Sequence, residues 1–308
     1  MGSFFVALAT VGVMLLYACP GYLMVKSGLI KGAAIADFAK LLMYVCQPAL
    51  TIYAFMQVDF SLAMVGNMVF VFLFVLILYA AALLLLRFFV FRKKGSEVRY
   101  RIYTLAICFA NCAFMGVPVL EALLPGYPQA VAFSAMFALA MNVLGWTLAS
   151  AIITNDRKYM SIKKILLNPA VVSLVVAIPL FVSGAELPSQ VGGMITLLAR
   201  MTTPLCMLIM GMRLATVALR SVFASLSQYV IILLKGFAFP LIALGLLLLF
   251  PVEENLRASV YIMMACPCAS VVLNFAEMLG EGQETAANLV LLSTLFSALT
   301  IPIMVLLI

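Results

Sequence analysis

Two short segments of the sequence place asparagine and proline inside otherwise apolar stretches. One reads ANCAFMGVP over residues 110–118, and the other reads ACPCASVVLN over residues 265–274. Proline removes a backbone donor and clashes with the preceding helical turn, so each segment predicts a broken helix, although ordinary proline kinks remain an alternative. The free N–H groups at the start of a half-helix favour an anion. The predicted anion site comprises Asn111, Gly116, Pro118, Pro267, Ser270 and Asn274.

Several charged residues lie within or near the ends of apolar stretches. Arginine in mid-membrane costs at least about 2.5 kcal/mol, so Arg200 is predicted to bind a carboxylate bidentately. A structural bond to the carbonyls freed near Pro204 is the alternative. Lys235 is a candidate for energy coupling, but it could instead extend to the membrane surface. Glu121 and Glu277, beyond the broken segments, are candidate proton carriers or solvated interfacial residues.

Two further polar residues, Gln47 and Asn142, lie in apolar stretches. Each is a candidate substrate contact, or else a hydrogen-bond partner for a neighbouring helix. Gly116, beside Pro118, is expected to let the first broken segment open further. The sequence has no histidine, and the Cys-Pro-Cys at residues 266–268 lacks the spacing of a metal site. No cofactor or metal is expected.

The elements that position these residues are predicted to be membrane-spanning helices. Of the 308 residues, 67% are hydrophobic and only 9% are charged, which leaves too little polar surface for a soluble globule. The apolar stretches are roughly 20 residues long, the length needed to cross the hydrocarbon core. The net charge of +7 comes from bases clustered in short loops. These loops indicate membrane topology rather than nucleic-acid binding.

Ten spans are predicted, and the sequence is therefore expected to fold as an all-α integral membrane protein. The loops rich in lysine and arginine alternate with loops that contain Asp59, Glu186, Glu253 and Glu254. By the positive-inside rule the basic loops are cytoplasmic, which places both termini outside. The spans cover approximately 4–26, 34–56, 63–91, 101–124, 128–153, 162–183, 190–213, 225–250, 256–279 and 285–307.

The sequence also matches itself at a constant offset of 156 residues. Each half, 1–156 and 157–308, contains five predicted spans, so the halves must enter the membrane in opposite senses. Inverted repeats of this kind are common in secondary transporters, although some channels also have them. Under the offset, one half has Asn-x6-Pro where the other has Pro-x6-Asn. The matched pairs include Pro48 with Pro204, Arg101 with Arg257, Cys112 with Cys268, and Glu121 with Glu277.

The paired broken segments resemble those of the auxin efflux carrier family of membrane transporters. So do KILLNP at residues 164–169, Thr203-Pro204, and the basic loop after the third span. The resemblance covers the whole chain and implies the crossover fold of bile-acid symporters and sodium/proton antiporters. Spans 1, 2, 6 and 7 would form a scaffold, and spans 3–5 and 8–10 a mobile transport core. The crossover residues of the family carry over to Asn111, Pro118, Pro267 and Asn274.

The resemblance implies transport of organic anions, such as auxin, malonate or malate. The long cytoplasmic loop of many plant auxin carriers is missing, so a microbial carboxylate carrier in the bacterial inner membrane fits better. The leading hypothesis is a secondary transporter of a small organic anion, with H⁺ or Na⁺ as the coupling ion. The alternatives are an anion channel and a sodium-coupled organic-acid symporter, whereas no motif supports an enzyme. Membrane lipid, and a second copy of the chain bound through the scaffold helices, are the other expected partners.

Overall fold

The computed structural model describes residues 2–95 and 97–308, and its described residues are almost entirely helical. Their only β-structure is an isolated antiparallel bridge between Ala110 and Cys268. The first seven helices are α1 (Gly2–Lys26), α2 (Gly32–Met56), α3 (Leu62–Val90), α4 (Val98–Cys108), α5 (Cys112–Leu123), α6 (Gln129–Thr154) and α7 (Arg157–Val172). The others are α8 (Leu174–Ser183), α9 (Ser189–Thr216), α10 (Leu219–Phe223), α11 (Leu226–Leu247), α12 (Glu254–Ala265), α13 (Val271–Leu279) and α14 (Gln283–Val305).

Seven of these helices are long and apolar enough to cross a membrane alone, namely α1, α2, α3, α6, α9, α11 and α14. The pair α7 and α8, bent by 53°, would make an eighth span. In α4–α5 and α12–α13 each helix is too short to span by itself, because the chain unwinds between the two members of the pair. The prediction of ten spans counts each of these broken pairs as one.

The two broken pairs lie in the interior of the molecule. Every residue from Arg101 to Cys108 of α4 is buried, as is every residue from Ala258 to Ala265 of α12. By contrast, α3 exposes leucine, valine and isoleucine side chains along its length, as expected for a helix that faces lipid. The unwound backbone between the paired helices is therefore surrounded by protein, which is the condition under which non-helical backbone is tolerated at membrane depth.

The second half of α1 packs closely against the second half of α9. A Cβ atom added at Gly21 would collide with the backbone carbonyl of Leu208, and one added at Gly211 would collide with that of Ala18. Small residues allow helix backbones to approach at such crossings. The two glycines therefore fix a tight contact between α1 and α9, two of the four helices predicted to form the scaffold.

Candidate functional site

The two unwound segments cross and bind each other through their backbones. The Asn111 N–H donates to the Pro267 carbonyl at 2.8 Å, and the Ala269 N–H donates to the Phe109 carbonyl at 3.0 Å. The residues between these bonds, Ala110 and Cys268, are buried. The two breaks predicted from the asparagine–proline segments are therefore present in the structure, and the segments cross as the family resemblance implies.

The centre of the crossing is the pair Asn111 and Pro267, which correspond under the 156-residue offset. An antiparallel pair in this position would normally exchange two hydrogen bonds, but proline has no N–H to return. The Asn111 carbonyl instead accepts the N–H groups of Met115 and Gly116, at 3.2 and 3.1 Å. At this central pair, the first broken segment thus provides the donor and the second provides the acceptor.

The first break lies N-terminal to the position suggested by Gly116 and Pro118. Gly116 has helical dihedral angles, φ −65° and ψ −43°, so the prediction that it opens the chain is wrong. The chain unwinds at Phe109–Asn111, where backbone pairing with the other segment replaces helical bonds. Pro118 still acts through its missing donor, because it leaves the Phe114 carbonyl without a helical partner. That carbonyl accepts the Thr203 hydroxyl of α9 at 2.7 Å.

Lys235 lies behind the crossing, with only 1% of its surface exposed. Its ammonium donates to the Met264 carbonyl at 3.1 Å and to the Cys108 carbonyl at 3.5 Å. Cys108 is the last residue of α4, and Met264 lies in the last turn of α12. The carbonyl ends of helices carry partial negative charge and favour a cation, so one lysine stabilises both interrupted ends. The alternative that Lys235 extends to the membrane surface is wrong.

A cavity of about 790 Å³ lies between α1, α2, α5, α6 and α9. Arg200, Glu121 and Pro118 line it, together with Tyr53 and Thr203. The Tyr53 hydroxyl donates to the Glu121 carboxylate at 3.0 Å. Among the described residues, the ion pairs within 4 Å are Lys40–Asp37 and Arg213–Glu277, so Arg200 has no carboxylate partner there. The cavity therefore contains a guanidinium to which no carboxylate of the described residues is bound.

A second, much smaller cavity of about 20 Å³ is lined by Gln47, Asn142 and Ser134. Its volume suffices for about one water molecule. The Asn142 amide oxygen accepts from the Asn168 side chain at 2.8 Å, so Asn142 links α6 to the last part of α7. Leu50 of α2 lines both this cavity and the large one.

The remaining candidates lie around α13. Ser270 immediately precedes this helix and Asn274 lies in its first turn, and both are half-buried. Glu277 accepts the Arg213 guanidinium at 2.8 Å. None of these three residues lines the large cavity. The structure thus divides the predicted residues among the crossing, the large cavity, the small cavity and an ion pair.

Four residues that the sequence analysis did not select make specific contacts here. Tyr53 binds Glu121, Arg213 binds Glu277, and Thr203 binds the carbonyl freed by Pro118. The Ser293 hydroxyl accepts the Cys268 N–H at 3.1 Å. Of the four, Thr203 had a sequence signal, because it immediately precedes a proline. The others are tyrosine, arginine and serine residues on helices whose rotation the sequence does not specify.

Comparison with known proteins supports the assignment suggested by the crossing. No individually curated protein matches the chain. The family model described as membrane transport protein matches residues 4–164 and 153–305, which together cover nearly the whole sequence. The resemblance drawn from the broken segments is confirmed, and the protein is an integral membrane protein. The chain belongs to the membrane transport protein family, which includes the auxin efflux carriers.

Proposed function

We propose that this protein is a secondary transporter that moves a small organic anion, such as a mono- or dicarboxylate, by alternating access. The observation that carries the proposal is Arg200, an arginine without a carboxylate partner within 4 Å in the described residues, in a cavity of about 790 Å³. A guanidinium can bind a carboxylate with two parallel hydrogen bonds. The Tyr53 hydroxyl and Glu121 lie in the same cavity, and Glu121 is the group that we propose carries a proton.

The proposal includes ten spans arranged as two inverted repeats, 1–156 and 157–308, with both termini outside. Contacts between corresponding residues support this arrangement. Asn111 binds Pro267 in the core, and the Thr202 hydroxyl donates to the Cys46 carbonyl at 3.3 Å between α9 and α2. Both pairs are separated by 156 residues. A pseudo-two-fold axis brings corresponding residues together wherever they lie on it, so two such contacts are expected from inverted repeats.

The two faces of the molecule support a carrier over an open channel. The large cavity lies beside the loop 125–128, which joins α5 to α6, and we call this side the proline face. The opposite side, with the loop that contains Arg92 and the first turns of α7 that contain Lys163, we call the basic face. The Arg213–Glu277 ion pair lies at the ends of α9 and α13 that lead to the basic face. A cavity open on one side and closed on the other is what alternating access requires of each end state.

The proposed substrate path begins in the large cavity and ends at the crossing. An anion would first meet Arg200, and movement of the core would then bring it to Asn111, Ser270 and Asn274. The half-helix that follows each break has free N–H groups at its start, which stabilise negative charge. This path uses the positive charge of Arg200 for attraction and the backbone of the crossing for binding.

The test is uptake of labelled malate and malonate by the purified protein in proteoliposomes, with and without sodium and across pH. Arg200→Gln should lower initial uptake at low substrate by about tenfold to a hundredfold, since a hydrogen bond to a charged group contributes about 1.5–3 kcal/mol. Arg220→Gln, at an exposed position, should stay within about twofold on the same scale. Equal uptake by both variants, or single-channel currents in place of saturable exchange, would contradict the proposal.

A further inference from the structure

Glu121 and Glu277 correspond under the 156-residue offset, and each lies in the helix that follows its break. Both carboxylates contact a helix of the predicted scaffold, at opposite faces of the molecule. Tyr53 of α2 donates to Glu121 at 3.0 Å, and Arg213 of α9 binds Glu277 at 2.8 Å. These two partners do not correspond, because the offset relates Arg213 to Gln57. The two faces therefore use the same acidic position with different partners.

The pair of positions that is in contact on the basic face is separated on the proline face. The Arg213 side chain is 17% exposed where it meets Glu277, so the ion pair joins α9 to α13 in partly buried surroundings. On the proline face, Gln57 and Glu121 both line the large cavity. There Glu121 accepts from Tyr53, not from Gln57. The same pair of positions thus forms a contact on the basic face and stays apart beside the large cavity on the proline face.

We propose that the Arg213–Glu277 ion pair is a latch that keeps the basic face closed, and that Gln57 and Glu121 form the corresponding contact when the proline face closes. This inference rests on the proposed transport function and adds the residues that set which face is open. If each repeat takes up the contacts that the other repeat makes now, the state with the proline face open becomes the state with the basic face open. The latch must then break each time the core moves.

The two closing contacts differ in strength. Arg213 and Glu277 carry opposite charges, whereas Gln57 offers Glu121 a neutral amide. Partly exposed ion pairs favour the state that contains them by about twofold to fivefold in population. We therefore expect the state with the proline face open to be favoured in the absence of substrate.

The test uses two reporter cysteines and a membrane-impermeant maleimide. Cys19 is replaced by serine, since the other six native cysteines are buried. Thr10→Cys reports on the large cavity. Ala287→Cys reports on the basic face, because Ala287 is buried and corresponds under the offset to Val131, which lines the large cavity. The ratio of the Ala287→Cys to the Thr10→Cys labelling rate, measured in inside-out and right-side-out vesicles, gives the balance between the two states.

Glu277→Gln should raise this ratio about twofold to fivefold, and the reversed pair Arg213→Glu with Glu277→Arg should restore it. Gln57→Arg should also raise the ratio, because it creates an ionic latch with Glu121 on the proline face. Adding Glu121→Gln to Gln57→Arg should abolish that gain. Because Gln57→Arg leaves the native ion pair intact, it keeps the test valid even if the Arg213 variants do not fold.

An unchanged ratio in folded Glu277→Gln, or a Gln57→Arg effect that persists without Glu121, would overturn the latch. Labelling requires no substrate, so the result is separate from the proposed function. A shift in the ratio for a protein that takes up no anion would support the latch and overturn anion transport. Saturable uptake with an unchanged labelling ratio would support anion transport and overturn the latch.

Discussion

The broken pairs α4–α5 and α12–α13 carry the same residue types in reversed order, yet they satisfy their freed backbone groups differently. In the first pair, the Asn111 N–H binds across the crossing to Pro267. In the second pair, proline occupies the centre, and the next N–H, that of Cys268, binds the Ser293 hydroxyl of α14. Proline therefore makes the second segment the acceptor at the centre of the crossing, and the N–H that follows the proline, that of Cys268, depends on a third helix.

The two pairs share one support at their other ends. Lys235 donates to the last turn of α4 and to that of α12. Its counterpart under the offset is Tyr79, whose buried hydroxyl has no partner among the described residues. One half of the molecule thus supplies the cation for both helix ends. Variants at these two positions should separate the contribution of the positive charge to stability from the contribution of side-chain volume.

The largest expected effect is at Lys235. Lys235→Ala removes a fully buried side chain and leaves two helix-end carbonyls without their cation, which should lower the free energy of unfolding by about 2–5 kcal/mol. Tyr79→Phe removes a hydroxyl without a partner and should be neutral or slightly stabilising. Unfolding in mixed micelles measures both variants. A smaller loss for Lys235→Ala than for Tyr79→Phe would mean that the cation does not support the helix ends.

An intermediate effect is expected at Ser293. Ser293→Ala leaves the buried Cys268 N–H without a partner and should lower the free energy of unfolding by about 1–3 kcal/mol. The control is Ser297→Ala, on the same helix, because the Ser297 hydroxyl bonds the Thr294 carbonyl of its own helix. The same unfolding assay should show a smaller loss for the control. Equal losses would show that the second break does not depend on α14.

The smallest effect is expected where α9 meets the first pair. Thr203→Val removes the 2.7 Å bond to the Phe114 carbonyl. The loss should be about 1 kcal/mol, since Thr203 lines the large cavity and water can replace its hydroxyl. Thr202→Val should lose less, because its bond to the Cys46 carbonyl is longer, at 3.3 Å. Thermal unfolding of the two variants would reveal the order, and a larger loss for Thr202→Val would contradict it.

The sequence predicted the helical membrane fold, the two breaks and an arginine suited to bind a carboxylate. These predictions rest on composition, on the missing donor of proline and on the cost of a charge in hydrocarbon, which are local properties. The position of the first break was not predictable in the same way. It depends on pairing between Asn111 and a segment 156 residues away, and a single sequence does not show such pairing directly.

The partners of the charged residues were also beyond the sequence. Tyr53 and Glu121 are 68 residues apart, and Arg213 and Glu277 are 64 apart. Whether such residues meet depends on helix rotation and crossing angle, which a nearly uniform apolar pattern leaves unspecified. The partners of Lys235 could not be predicted either, because they are backbone carbonyls, which every residue type has.

The most direct test of the central claim, that an anion binds at the crossing, is uptake of a labelled dicarboxylate by Asn111→Ala and Asn274→Ala in proteoliposomes. Asn67→Ala, half-buried in α3, is the matched control. We expect both crossing variants to lose about tenfold or more of initial uptake while remaining folded, because an amide bound to a charged group contributes about 1.5–3 kcal/mol. The control should keep its uptake. Unchanged uptake in both crossing variants would contradict the claim.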